Sequence, residues 1–139
     1  RGAHGQTALS AVLEPHEMNR RTRFPGLGQS YARLAGPQGR VLGLDVTPEM
    51  IAKARENLAL TGLDHVAFEV GPAESLPFPD NNFDVVISNG VFNLTLNKEQ
   101  ALREAHRVLK PGGRLMVADM MLTAPLPEDR ADRIDNWYQ

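Results

Sequence analysis

The feature that most narrows what this chain can fold into is an alternation. Short apolar runs, too brief for helices, are separated by stretches whose apolar residues recur at helical spacing. RVLGLD at residues 40–45 is a continuous apolar run of the kind found in strands buried on both faces. Behind it, Thr47 predicts a helix cap, with Pro48 at the first helical position, Glu49 favourable to the dipole and Ile51, Ala54 and Leu58 as an inward stripe. Gly62 stops that helix. HVAFEV (65–70), FDVVIS (83–88) and RLMVADMML (114–122) read as further strands. Between the last two, Asn97 with Gln100 forms a capping-box pattern, and Ala101, Leu102, Ala105, Val108 and Leu109 supply a buried helix face that KPGG (110–113) ends. Strands separated by helices in this order predict an α/β three-layer sandwich around a mostly parallel sheet with right-handed crossovers. Ligands of such sheets sit at the carboxyl ends of the strands.

The N-terminal segment, residues 1–33, lacks this regularity. It holds one short helix-compatible piece, at residues 7–14, among turn formers and arginines. Residues 1–40 carry a balance of +4, so the other 99 carry −6 within a net charge of −2. That net charge argues against nucleic acid as a main partner, because phosphate binding leans on a basic excess. The absence of cysteine excludes disulfides, thiolate metal sites and cysteine nucleophiles, and fits a cytoplasmic protein. Residues 8–13 form the longest apolar run near the start; it is too short for a membrane span or a signal peptide, so a membrane is not an expected partner.

The strand ends hold the candidates. Asp45, with Val46 beside it, closes the first clear strand; a carboxylate there can accept two hydrogen bonds from ribose hydroxyls, or it can cap the turn before Thr47. The loop at residues 71–79, GPAESLPFP, offers backbone N–H groups, Glu74 and the apolar Leu76 and Phe78, enough to sandwich a flat base, or simply to pack on the sheet. Ser88 and Asn89 are polar groups at a pocket rim, followed by Gly90. Asp119 is either a site carboxylate or a buried turn acceptor. His106 and Arg107 suit the C-terminal end of a helix dipole better than catalysis.

LGLDVTPEMIAKARENL, AESLPFPDNNFDVVISN and EAHRVLKPGGRLMVADM together resemble successive motifs of class I S-adenosylmethionine-dependent methyltransferases, over roughly residues 34–139. ISNGVFNL with NKEQALREAHRVLKPGGRL most resembles the arsenite methyltransferase group, with the ubiquinone and menaquinone biosynthesis methyltransferases next. The resemblance implies a Rossmann-like methyltransferase domain, S-adenosyl-L-methionine as cofactor and a small-molecule methyl acceptor. It implies that Asp45 holds the cofactor ribose, that Ala73 and Glu74 lie beside the adenine, and that Ser88, Asn89, Gly90 and Val91 lie near the methionine end and the acceptor. KPGG is then a structural turn into the next strand.

The departures are informative. Arsenite methyltransferases carry a cysteine at the position matching Gly90 and hold soft trivalent arsenic with several thiolates. A glycine there either lets backbone approach a ligand or makes a turn. Pro72 stands where related sequences often place an aspartate, removing a carboxylate and an N–H from the adenine site. The family's glycine-rich turn is reduced to FPGLGQS, a bare GxG of Gly26 and Gly28, with Gly28 17 residues before Asp45. NRRTRF before it cannot be a central buried strand, because three arginines would face an apolar core. The expectation is therefore that the first strand is lost, that residues 1–33 derive from a shifted reading frame or a foreign junction, and that the domain is truncated at both ends. Two functions follow: methyl transfer to a small molecule, with no catalytic residue nameable, or a non-catalytic fragment acting through an exposed sheet edge, as a homo-oligomer for example. An NAD-binding domain is the weaker third, since it needs the same glycine-rich turn. No metal site is expected.

Overall fold

The computed structural model describes residues 7–12, 31, 32 and 34–120. Five strands form one parallel sheet: β1 (Thr7–Val12), β2 (Arg40–Asp45), β3 (Val66–Val70), β4 (Phe83–Asn89) and β5 (Leu109–Ala118). Their order across the sheet is β3-β2-β1-β4-β5. Helix α1 (Pro48–Ala59) links β2 to β3, and a 3-10 turn (Phe92–Leu94) and α2 (Lys98–Val108) link β4 to β5. The expected α/β architecture and its middle strands are in place.

The N-terminal expectation is corrected. TALSAV at Thr7–Val12, read as helix-compatible, is the central strand, with Leu9 in register with Leu42 on one side and with Val86 on the other. The first strand is therefore not lost. Ala and Leu favour helices, but six residues cannot complete a stable helix, and pairing on both edges overrides propensity. The run's length and its position between Gly5 and Pro15 were the available strand signal. NRRTRF and the GxG of Gly26 and Gly28 lie outside the described residues, as do residues 121 and 122 of the last predicted strand.

Apolar side chains fill both faces of the sheet. Val41 packs with Ala32, Val66 and the α1 residue Leu58 on one face; three positions along β2, Leu44 packs with Leu76, Phe83, Val86 and the α2 residues Ala105 and Val108 on the other. Phe83 is fully buried and meets Phe78 edge-on at 5.2 Å between ring centroids, an arrangement worth about 0.5–1.5 kcal/mol beyond its burial. Ala101, Ala105 and Val108 give α2 a narrow buried stripe, while Leu102, expected inside, is 45% exposed. Leu109 begins β5 instead of ending the helix, and KPGG is not a turn ahead of the strand but an insertion within it. Phe83 pairs with Leu109 and Val85 with Arg114, so the residues between them bulge outward, with Gly112 at φ +80°.

One ion-pair cluster fastens the loop after β3 to α2. The Arg107 guanidinium donates to both Glu104 oxygens at 2.7 Å, to Asp80 Oδ1 at 2.7 Å, and to the carbonyls of Phe78 at 2.8 Å and Leu76 at 3.0 Å. Glu104 Oε2 also accepts from the Leu76 amide at 2.8 Å. Arg107 lies in the last turn of α2, as expected of a dipole partner, and is in addition a loop clamp. Hydrogen bonding from Arg107, opposed by burial, holds the Glu104 carboxyl below its ordinary value of 4.5.

Two outcomes follow from this packing. Gly43 lies under the Phe68 ring; an added Cβ would strike Phe68 Cδ1 and fall 2.6 Å from Cε1. Gly43→Ala should therefore lower stability by about 1–3 kcal/mol in urea unfolding, with Phe68→Leu recovering part of the loss. Glu104, with its pKa depressed on folding, contributes stability above the unfolded carboxylate pKa of about 4.3, and that contribution disappears as pH falls through the folded value. The stability gap between the native chain and Glu104→Gln, about 2–3 kcal/mol at pH 7, should close as urea melts are moved to pH 3.

Candidate active site

All the strands point their carboxyl ends to one rim, and three of those ends carry buried polar atoms without a hydrogen-bond partner: Asp45 Oδ2, Ser88 Oγ and both oxygens of Asp119. A polar atom buried without a partner costs about 1–3 kcal/mol, so such atoms gathered on one rim mark where a ligand completes the structure.

Asp45 divides its carboxylate between the two roles its sequence context allowed. It is 5% exposed, and its Oδ1 accepts the Thr47 amide at 2.7 Å, capping the turn into α1. Oδ2 is left over. Thr47 is the helix N-cap in extended conformation, yet its side chain makes no capping bond. Val46 is 58% exposed beside the buried carboxylate, an apolar wall on the rim. The Asp45 carbonyl accepts from Gly71 N at 2.9 Å, which brings the start of the next loop against the end of β2.

That loop presents Ala73 half-buried, and Glu74 reaches across to the segment ahead of α2. Glu74 Oε1 accepts the amides of Leu96 at 3.0 Å and Asn97 at 3.4 Å, and the Glu74 carbonyl accepts from Gln100 Nε2 at 3.4 Å. The capping box is thus half as expected. Asn97 Oδ1 does accept the Gln100 amide at 3.0 Å, but Glu74 takes the return bond that Gln100 would have made.

Ser88 is 2% exposed at the end of β4 and in register with Val117; Asn89, paired with Ala118, has a hydrogen-bonding or electrostatic partner of its own. Gly90 follows at φ +68°, a left-handed conformation that glycine adopts freely, and donates its amide to the Ala118 carbonyl at 2.7 Å. It makes the turn out of β4. Asp119, one residue past β5, is the rim carboxylate that left-to-right pattern reading could not separate from a turn acceptor; its unpartnered oxygens favour a site role. Gly26 and Gly28 lie outside the described residues. Among the described residues no group of three or more histidines or carboxylates could hold a metal, and no helix is long and apolar enough to cross a membrane. An open groove of about 400 Å³, lined by Arg55, Leu58, Ala59, Gly62, Leu63 and Asp64, lies away from these residues and shares none of them.

Comparison with known proteins identifies the family. A family model described as a methyltransferase domain matches residues 26–138. The chain is 47% identical over 98 residues to an arsenite methyltransferase of Halobacterium salinarum, covering 70% of this chain and 25% of that protein. It is 46% identical over 95 residues to the ubiquinone/menaquinone biosynthesis C-methyltransferase UbiE of Hahella chejuensis, covering 67% and 38%. Among solved structures, the arsenic(III) S-adenosylmethionine methyltransferase CrArsM of Chlamydomonas reinhardtii superposes with a TM-score of 0.74 at 29% identity, over 96% of this chain and 44% of that one. The YcgJ protein of Bacillus subtilis does so with a TM-score of 0.67 at 30% identity, over 96% and 51%. The chain thus spans between a quarter and about half of the length of these proteins. With its parallel β3-β2-β1-β4-β5 sheet and its rim of unpartnered polar groups, the chain belongs to the methyltransferase-domain family and has the fold of the class I S-adenosylmethionine-dependent methyltransferases.

Proposed function

We propose that this chain is the cofactor-binding part of a methyltransferase that moves a methyl group from S-adenosyl-L-methionine to a small-molecule acceptor in the cytoplasm. The observation that carries the reading is Asp45. Its Oδ2 is buried, unpartnered and placed at the end of the strand next to β1, and a ribose hydroxyl is a donor that would satisfy it. Val46 and Ala73 flank the same rim and suit the faces of a nucleoside. Ser88 Oγ, and the Asp119 carboxylate past the neighbouring strand, provide polar groups toward the methionine and acceptor end. Asn89 lies at the same rim, and Gly26 and Gly28 join the proposed cofactor set on the sequence resemblance alone.

When bound, the cofactor supplies an electrophilic methyl group on a sulfonium. The protein's task is then to align the acceptor with it, since positioning supplies most of the acceleration in such a displacement. Within these 139 residues there is no cysteine, and Gly90 gives the β4 turn no side chain, so these residues offer an acceptor hydrogen bonds and apolar contact and no thiolate. An oxygen or carbon acceptor of the quinone-biosynthesis type fits these residues as they stand, whereas arsenite would need thiolates from outside them. In this reading Asp119, whose two oxygens are buried without a partner, is the group that would accept a proton from the acceptor.

A second reading, association without catalysis, is favoured by β5. It is an edge strand of the sheet formed by the described residues, and Leu115, Met116 and Val117 are all exposed there, Met116 by 57%. In that reading a second copy pairs along β5, and sedimentation should show a concentration-dependent dimer.

Calorimetry with S-adenosylhomocysteine tests the first reading. Micromolar binding is expected to weaken at least about tenfold in Asp45→Asn, because the exchanged amide presents a different donor pattern to the ribose; unchanged affinity in the variant would reject the assignment. At the turn, Gly90→Ala should cost about 1–2 kcal/mol in thermal unfolding, since φ +68° is strained for a residue with a Cβ.

A further inference from the structure

We infer that Glu74 is a positioning residue that latches the segment after β4 to the loop after β3, so that the acceptor side of the rim is held in place by the cofactor side. This rests on the methyltransferase reading for its functional consequence but not for its geometry.

Three observations carry it. One oxygen of the Glu74 carboxylate is engaged by protein amides: Oε1 accepts from Leu96 and Asn97, which close the stretch that begins at the Gly90 turn. Those bonds put a negative charge just ahead of the first turn of α2, where the helix dipole favours it, and they fix Asn97, the N-cap whose own Oδ1 holds the Gln100 amide. The same stretch is tied on its other flank by Asn93 Nδ2, which donates to the Met120 carbonyl at 2.6 Å, and at its start by Gly90 N on Ala118 O.

Residues 90–97 are thus suspended between two neighbours, the loop after β3 through Glu74 and the end of β5 through Asn93 and Gly90. The β3 loop is in turn immobilised on α2, because Leu76 and Phe78 are bonded to Glu104 and Arg107. Glu74 is the side chain that extends this rigidity from the clamped loop to the acceptor-side stretch. A base edge that recruited the same oxygen would have to displace the Leu96 amide, and so would loosen the segment the acceptor needs. A latch and a base ligand are therefore competing uses of Oε1.

The test is amide solvent exchange by NMR on the full chain, with and without S-adenosylhomocysteine, for the native protein, Glu74→Gln, Glu74→Ala and Glu104→Gln. In Glu74→Ala, exchange at Leu96 and Asn97 should accelerate by about tenfold, the loss of one charge-assisted bond. Glu74→Gln keeps an acceptor oxygen and should stay within about threefold of native. Affinity for S-adenosylhomocysteine, measured in parallel, should change less than about fivefold in either Glu74 variant, since the latch does not touch the nucleoside. Glu104→Gln loosens the loop that carries the latch and should accelerate exchange at Leu76 most, with a smaller acceleration passed on to Leu96. Unchanged exchange at Leu96 and Asn97 in Glu74→Ala would overturn the inference. So would loss of ligand binding in both Glu74 variants with those amides still protected, the result expected of a base ligand. A native chain that binds no S-adenosylhomocysteine would reject the proposed function, and the exchange rates without ligand would still decide the latch.

Discussion

Parallel strands cannot be joined by a tight turn, and that constraint arranges everything else in this molecule. Each of β2, β3 and β4 must end at the rim, leave through a loop and return beneath the sheet before the next strand can start. The chain steps outward from β1 to β2 to β3, then crosses to the opposite side of β1 for β4 and β5. The direction of winding therefore reverses at β1 and β4, and a crevice opens at such a reversal because the loops on its two sides diverge. Asp45 sits one strand from that point on one side; Ser88 lies on β4 itself. The unpartnered atoms are concentrated where the topology leaves room.

The polar groups on the two sides of the molecule are treated differently. Arg107, on α2, is partnered through its Nε and both terminal nitrogens, and Glu104 and Asp80 share its charge. Lys110 and Asp84 pair at 2.9 Å near the amino end of β4. Asp45 and Ser88, by contrast, are the buried polar residues of the described chain, and each keeps an oxygen without a partner. A fold that completes so many bonds around one arginine is not short of donors. Leaving Asp45 Oδ2 bare is a local sacrifice of stability at the rim, the pattern expected where a ligand supplies the missing donor.

Much of this was legible in the sequence, and the failures have specific physical causes. β2 could be read to the residue because both its faces are buried, which makes the run continuous, and β4 to within one. β1 escaped because Thr-Ala-Leu-Ser-Ala-Val has helical propensities, and only pairing with two strands distant in sequence makes it extended. The start of β5 escaped because Lys-Pro-Gly-Gly has turn chemistry in either setting; whether a turn precedes a strand or interrupts one depends on Phe83 pairing with Leu109 across the sheet. Asp45 was found as a residue, whereas the division of labour between its two oxygens is a matter of geometry. Glu74 shows the limit of reading by position: its place in the loop was clear, but the amides it serves lie more than 20 residues on.

Gly90 joins the fold to the chemistry. Its φ of +68° and its bond to the Ala118 carbonyl show that the turn out of β4 needs a left-handed residue here for backbone reasons alone. A side chain at this point would bear a steric cost of about 1–2 kcal/mol, which a thiol could offset only through a strong bond to a ligand. In this backbone the glycine is therefore the relaxed choice, and a soft-metal ligand would be the strained one. The turn that leads into residues 90–97 is built for geometry, and the unpartnered oxygens beside it belong to its neighbours: Ser88 before it, and Asp119 past the strand that Gly90 grips.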